Sequence, residues 1–291
     1  MQTQGLETRR LGRTGHDSSV AILGGVVFHF VDEDEAGEIL RDALDRGVNH
    51  LDIAPGYGSA EATVGPHIPA VRNRLFISEK SGKTTRDDVR RHLDRTLTRL
   101  GIASVDLYQL HGVTDIDDLN RREGAVQALL EARAEGLCTW LGITGHNVTT
   151  PVAQLEALRR YDLDTVMFPI YPRLWADDDY RRDAQALLDE AATRDVGVQV
   201  IKAGAARPWA QSADRSATTW YEPQPDAESV ERGVRFVLST PGVTGFCTPG
   251  DARLLPWALD AAERFSPMSD DERNAAMSGN REDALIFPIP V

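Results

Sequence analysis

The chain has 291 residues, 41% of them hydrophobic and 26% charged, the balance of a globular protein with enough length for one large core. A formal charge of −13 removes the basic face that nucleic acid or an anionic membrane would need, and no apolar run approaches the ~20 residues of a bilayer span. Two cysteines, Cys138 and Cys247, lie in or beside apolar runs and read as buried free thiols; no C-x-x-C or other metal spacing accompanies them.

The N-terminus, Met-Gln-Thr-Gln-Gly-Leu-Glu, lacks the basic-then-apolar pattern of a signal peptide, so a cytoplasmic protein is expected. Residues 6–19 set a glycine-containing turn between two short extended pieces, predicting a hairpin that plugs or covers one end of the main body. Val20–Phe30 is an apolar run interrupted by Gly24 and Gly25, predicting a buried strand whose backbone is closely approached. Asp32–Arg46 follows as a helix, with Ile39, Leu40, Ala43 and Leu44 at helical spacing behind an acidic first turn.

The alternation then continues. A strand at 49–53 precedes a helix-like piece at 60–72 perturbed by Pro66 and Pro69, and a strand at 75–79 precedes a helix at 85–100 stopped by Gly101. Strands are expected at 105–110, 139–144, 165–170, 197–201 and 243–247. Their helices are expected near 122–135, 151–161, 182–194, 227–238 and 254–265. Eight strands alternating with eight helices imply parallel pairing through right-handed crossovers, and closure into a (β/α)8 TIM barrel with an N-terminal hairpin and a C-terminal extension, one domain over residues 1–291. An open doubly wound sheet is the alternative, but no G-x-G-x-x-G follows the first strand.

In such barrels the chemistry sits at the C-terminal strand ends. Asp52, Lys80 and His111 fall there, with Tyr57 in the turn after Asp52. Each alone has an ordinary explanation: an ion pair, a rim aromatic, a core histidine. Together they form an acid/base set. A tyrosine hydroxyl has an unperturbed pKa of about 10, which a neighbouring ammonium can lower by ~1 to 3 units. Lys80 is the expected source of that charge, Asp52 would keep it protonated, and His111 would donate a hydrogen bond to a carbonyl oxygen. Such a set protonates an oxygen acquiring negative charge. Lysine is otherwise scarce, occurring only as Lys80, Lys83 and Lys202.

The segments NHLDIAPGYG (49–58), LFISEKSG (75–82), VDLYQLHG (105–112), WLGITGHN (140–147) and FVLSTPGV (236–243), with the hairpin RRLGRTGHDSS, resemble the aldo-keto reductases along nearly the whole chain. The resemblance implies that Asp52, Tyr57, Lys80 and His111 are a catalytic tetrad with Tyr57 as general acid. It also implies NADPH, or alternatively NADH, as cofactor, and a small carbonyl or alcohol as substrate. Expected cofactor contacts are Gly25, Thr144, Gly145, His146, Lys202, Gly204, Gly250 and Arg253.

Several of these depart from the family's pattern. A serine and asparagine usually hold the nicotinamide carboxamide, whereas Thr144, Gly145, His146 and Asn147 stand here; the family's glutamine is replaced by Met167 or Phe168. Lys202 ends the seventh strand, where barrels often bind phosphate. Arg253 is the cation near the expected 2'-phosphate, beside Asp251, which would repel it. Two other classes therefore stay open: a ligand-sensing barrel without turnover, and a redox-neutral isomerase or lyase using Tyr57 and Lys80. Phe28, Phe30, Trp175, Trp209, Trp220 and Tyr221 are candidates for a pocket wall. The apolar tail from Asp283 to Val291 is expected to pack on the body, over the site mouth or at a subunit contact.

Overall fold

The computed structural model describes residues 5–211, 213–279 and 284–287. Two short strands, β1 (Thr8–Arg10) and β2 (Asp17–Ser19), form the N-terminal hairpin. The barrel strands are β3 (Ala21–Gly24), β4 (His50–Asp52), β5 (Phe76–Ser81), β6 (Leu107–Leu110), β7 (Trp140–Thr144), β8 (Thr165–Pro169) and β9 (Gly197–Ile201). After β10 (Ala205–Arg207) and β11 (Glu222–Pro223), β12 (Gly245–Cys247) closes the ring between β9 and β3. Every pairing in the ring is parallel, so the expected TIM barrel is the observed one.

Alternation of side chains along each strand decides what faces inward. His50 and Asp52 on β4 point into the barrel with Ser78 and Lys80 on β5, because each pair bonds across the register that sets Asp52 opposite Ser78. The floor is apolar: Leu11 from the hairpin turn packs on Phe76, Leu107 and Trp140. Gly12 makes that plug possible, since its φ is +49° and a Cβ there would meet the Gly197 nitrogen at 2.2 Å. Arg13 fastens the plug by bonding Asp162 and Asp164. The hairpin thus closes the N-terminal end and leaves the strand C-termini for the site.

The outer helices follow from capping and apolar stripes. Helix Arg86–Leu100 starts at Thr85, whose hydroxyl accepts from Asp88 N, and stops at Gly101 in the left-handed region, as the sequence predicts. Other boundaries differ. The first barrel strand ends at Gly24 and continues as a 3-10 turn over Gly25–His29, which brings Phe30 to the surface. The 60–72 piece breaks into helices Ala60–Val64 and Ile68–Val71 around a 3-10 turn, because Pro66 and Pro69 lack the N–H a continuous helix requires. The sixth helix begins at Asp178 rather than Arg182, since Asp177 accepts from Tyr180 N at 2.9 Å.

Among the described residues, three helices lie outside the simple alternation: Ile116–Asn120, Pro172–Trp175 and Asp270–Ser278. The last has a capping box in which Ser269 and Glu272 bond each other's backbone, a signal legible as S-x-x-E. Within the described part of the tail, Ile286 is buried and its N–H donates to the Tyr171 hydroxyl at 3.2 Å, so the chain packs on the segment after β8. Asp283 and residues 288–291 lie outside the described residues. Among the described residues, no helix is long and apolar enough to cross a membrane.

Candidate active site

At the C-terminal mouth, β4, β5 and β6 bring the four expected groups together. Lys80 Nζ donates to Asp52 Oδ2 at 2.5 Å and to the Ile53 carbonyl at 3.3 Å, with both charged side chains almost wholly buried. The chain then turns: Tyr57 N donates to the Ala54 carbonyl at 3.0 Å and lays the phenol ring over Lys80, with Nζ 5.1 Å from the ring centroid. His111 stands edge-on to that ring, centroids 5.7 Å apart and planes at 89°. Its backbone is fixed by His111 N to the Ser81 carbonyl and by Arg122 Nη1 donating to its own carbonyl.

Electrostatics sets the protonation states. Burial works against the Lys80 ammonium, but Asp52 and Tyr57 outweigh it and hold the lysine above its ordinary value. Burial also lifts the Asp52 carboxyl, with Lys80 opposing. The Tyr57 phenol is pushed above its ordinary value by burial, and Lys80 only partly counters this. From the sequence, Lys80 is the group expected to dominate. Desolvation wins instead, because a phenolate enclosed by protein loses its water.

Asp52, Tyr57, His146, Lys202, Trp220 and Gly250 line one small cavity of about 50 Å³. Lys202 follows β9 with a φ of +77°, a conformation that costs a β-carbon-bearing residue roughly 1–3 kcal/mol and tends to mark functional positions. Its side chain is buried, and Nζ lies 5.1 Å from the ring centroids of both Trp220 and Tyr221. Among the described residues no carboxylate pairs with it, and burial pulls its pKa down to about 8. The two π faces partly stabilise the ammonium, which has no carboxylate partner among the described residues and so is chemically able to accept an anion.

Gly25 is needed for packing, since a Cβ there would meet Ile53 Cγ1 at 2.9 Å. Thr144 Oγ1 accepts from Gly112 N at 3.2 Å, and Gly145 sits where a Cβ would meet the Val113 carbonyl at 2.4 Å. Gly204 faces a separate small cavity behind Tyr221. Arg253 is engaged: its Nη2 donates to Asp251 Oδ2 at 2.6 Å and to the Ser216 carbonyl at 2.7 Å.

Of the aromatic candidates, Trp220 and Tyr221 line the cavity, and Trp209 Nε1 holds the loop by donating to the Thr219 carbonyl at 2.8 Å. Phe28 and Trp175 belong to the core, and Phe30 is exposed at the rim. Cys247, expected as a buried thiol, lines the cavity beside Asp52; its position at the end of the last barrel strand was the available signal. Thr218 and Thr219 were missed, since a polar loop carries no periodicity to show where it folds back. Among the described residues no cluster of His, Cys, Asp and Glu side chains could hold a metal ion.

Comparison with known proteins identifies the family and the fold. Residues 21–265 match the model described as the aldo/keto reductase family. The chain is 24% identical over 271 residues to the uncharacterized oxidoreductase YqkF of Bacillus subtilis, covering 84% of this chain and 86% of that protein. It is 30% identical over 157 residues to the L-galactose dehydrogenase of Arabidopsis thaliana, a match spanning 48% of this chain and 49% of that protein. The holo form of the aldo-keto reductase AKR11C1 from Bacillus halodurans superposes with a TM-score of 0.73 at 20% identity, covering 97% of this chain and 99% of that one, a likeness of fold.

Proposed function

Because the chain belongs to the aldo/keto reductase family and so to the oxidoreductases, we propose that it is a nicotinamide-dependent carbonyl reductase. It works as one barrel domain in the cytoplasm, on a small aldehyde or ketone or, in reverse, on the alcohol. The observation that carries this reading is the buried Asp52–Lys80 ion pair under the Tyr57 ring, with His111 at the ring's edge.

Tyr57, protonated at neutral pH as an ordinary phenol is and held more firmly so by burial, donates its proton to the carbonyl oxygen as negative charge develops there. Lys80 stabilises the phenolate left behind, and Asp52 keeps Lys80 charged and aimed. His111 donates a hydrogen bond to the same oxygen. The cofactor is NADPH, with NADH the alternative; when bound, it supplies hydride to the carbonyl carbon. The residues present fit such a group, since the unpaired Lys202 ammonium calls for an anion and a pyrophosphate is one. Gly250 lines the same cavity from the other side.

Stopped-flow mixing with NADPH and NADH against a panel of aldehydes and ketones tests the proposal, and cofactor oxidation is the expected result. Binding without oxidation by any carbonyl would favour a ligand-sensing barrel. Proton exchange into substrate without cofactor would favour an isomerase or lyase.

A further inference from the structure

A row of residues crosses the barrel wall at the level of Lys80. Lys80 on β5 pairs in register with Gln109 on β6, Gln109 with Gly142 on β7, and Gly142 with Thr165 on β8. Residues paired across a sheet point to the same face, and Lys80 points inward to Asp52. Gln109 and Thr165 therefore point inward too, and both are buried. Their contact passes over the strand between them, Thr165 Oγ1 donating to Gln109 Oε1 at 3.4 Å. Gly142 permits it, because a Cβ there would meet Thr165 Oγ1 at 2.3 Å and Gln109 Oε1 at 3.0 Å.

With its oxygen held by Thr165, the amide turns its nitrogen the other way, and Gln109 Nε2 is buried without a hydrogen-bond partner among the described residues. Asp52 Oδ1 is in the same condition, since Lys80 engages Oδ2. Buried polar atoms of native proteins are nearly always bonded. Here an unmatched donor and an unmatched acceptor stand on the two strands that flank β5, both on its inner face. An amide nitrogen has two hydrogens to give and a carboxylate oxygen only accepts, so the two are complementary. Burial raises the Asp52 carboxyl; Lys80, and after it the Cys247 thiol and Gln109, oppose that by hydrogen bonding to the charged form.

We propose that Gln109 is a positioning residue whose amide nitrogen donates to Asp52 Oδ1, directly or through one water, and so holds the carboxylate with Oδ2 on Lys80. This rests on the carbonyl-reductase reading for the use of the Asp52–Lys80 pair, but the contact stands without it. A carboxylate anchored through one oxygen can rotate away from the ammonium. Anchored through both, it keeps Lys80 charged and under the Tyr57 ring. Thr165 and Gly142 complete the device, one by fixing which end of the amide faces Asp52 and the other by leaving room for the contact that does so. Gln109 is not among the residues that line the cavity, so it acts through Asp52 rather than on a bound molecule.

Protein labelled with 15N in its glutamine side chains, free of cofactor and near neutral pH, shows the Gln109 amide as the 1H–15N signal lost in Gln109→Met. One of its two hydrogens is expected downfield of those of an exposed glutamine, and it moves upfield in Asp52→Asn, where the acceptor is neutral. Asp52→Asn combined with Lys80→Met gives the same readout if the single variant does not fold. In turnover, Gln109→Met, which keeps the volume, lowers kcat roughly three- to tenfold, the usual worth of one hydrogen bond. Gln109→Glu donates to Asp52 only while protonated, so its kcat falls with rising pH across a range where the wild-type rate does not. A Gln109 amide signal that ignores the Asp52 substitution overturns the proposal, and so does a Gln109→Met or Gln109→Glu enzyme with the wild-type rate and pH profile. Carbonyl turnover with an Asp52-independent amide leaves the reductase reading standing and refutes this one. The Asp52-dependent amide in a protein that turns over no carbonyl supports the contact and refutes the carbonyl-reductase reading.

Discussion

Lys80 Nζ lies 2.5 Å from Asp52 Oδ2, and neither side chain reaches water to any useful extent. Removing one partner of such a pair leaves a bare charge in a poorly polarizable interior, at a cost of about 3–5 kcal/mol. Asp52→Asn should therefore lower the urea-unfolding free energy by about that amount. Adding Lys80→Met should restore part of it, because the stranded ammonium is then gone. A single variant as stable as wild type would mean that water reaches Lys80 through the mouth.

Tyr57→Phe keeps the ring over Lys80 and removes only the proton donor. Carbonyl turnover should fall by about 10²–10⁴-fold, the usual range for a lost general acid, while cofactor affinity holds. Steady-state rates beside a cofactor titration check both halves. Unchanged turnover would take Tyr57 out of the mechanism.

Lys202 should bind cofactor phosphate most strongly when charged. Its pKa of about 8 lies below the ordinary lysine value, so affinity should decline as pH rises through about 8. Lys202→Met should weaken NADH and NADPH alike by roughly tenfold and flatten that pH profile. The stability consequence has the opposite sign. Between about 8 and the unfolded value of about 10.4 the unfolded chain binds more protons, so this lysine makes folding more favourable with rising pH. Cofactor titrations from pH 7 to 9.5 decide it, and a pH-independent wild-type affinity would assign Lys202 elsewhere.

Arg253 bridges Asp251 to the Ser216 carbonyl, and Asp251 also accepts from Thr218 N at 3.0 Å. Breaking the bridge should free the loop over the cavity rather than alter cofactor choice. Arg253→Ala should raise the association and dissociation rates of NADH and NADPH together, as followed by rapid-mixing fluorescence. A selective loss of NADPH affinity would return Arg253 to the 2'-phosphate.

Much of the fold was legible because it is repetitive and local. Apolar strands punctuated by capped helices fix the alternation, and the pleat fixes which strand residue faces inward; Asp52, Lys80 and His111 could be placed from those two facts. Pro66 and Pro69 also declared themselves, although the number of pieces they leave did not follow from their positions. The helix at Asp270–Ser278 carries its capping box in the sequence as Ser269 and Glu272, but it lies beyond the eight strand–helix repeats, so the alternation does not call for it.

What the sequence by itself determined, then, is the closed parallel barrel and the strand ends that carry its acid/base groups, since these depend on neighbours a few residues away. Only the tertiary structure decided that Arg253 is engaged by Asp251 and Ser216, that Lys202 lies between Trp220 and Tyr221, and that His146 reaches His111. Lys202, His146 and Trp220 come from different loops. The charge states of Lys202 and His146 follow from burial and from partners distant in sequence, and those exist only once the loops fold over the mouth of the barrel.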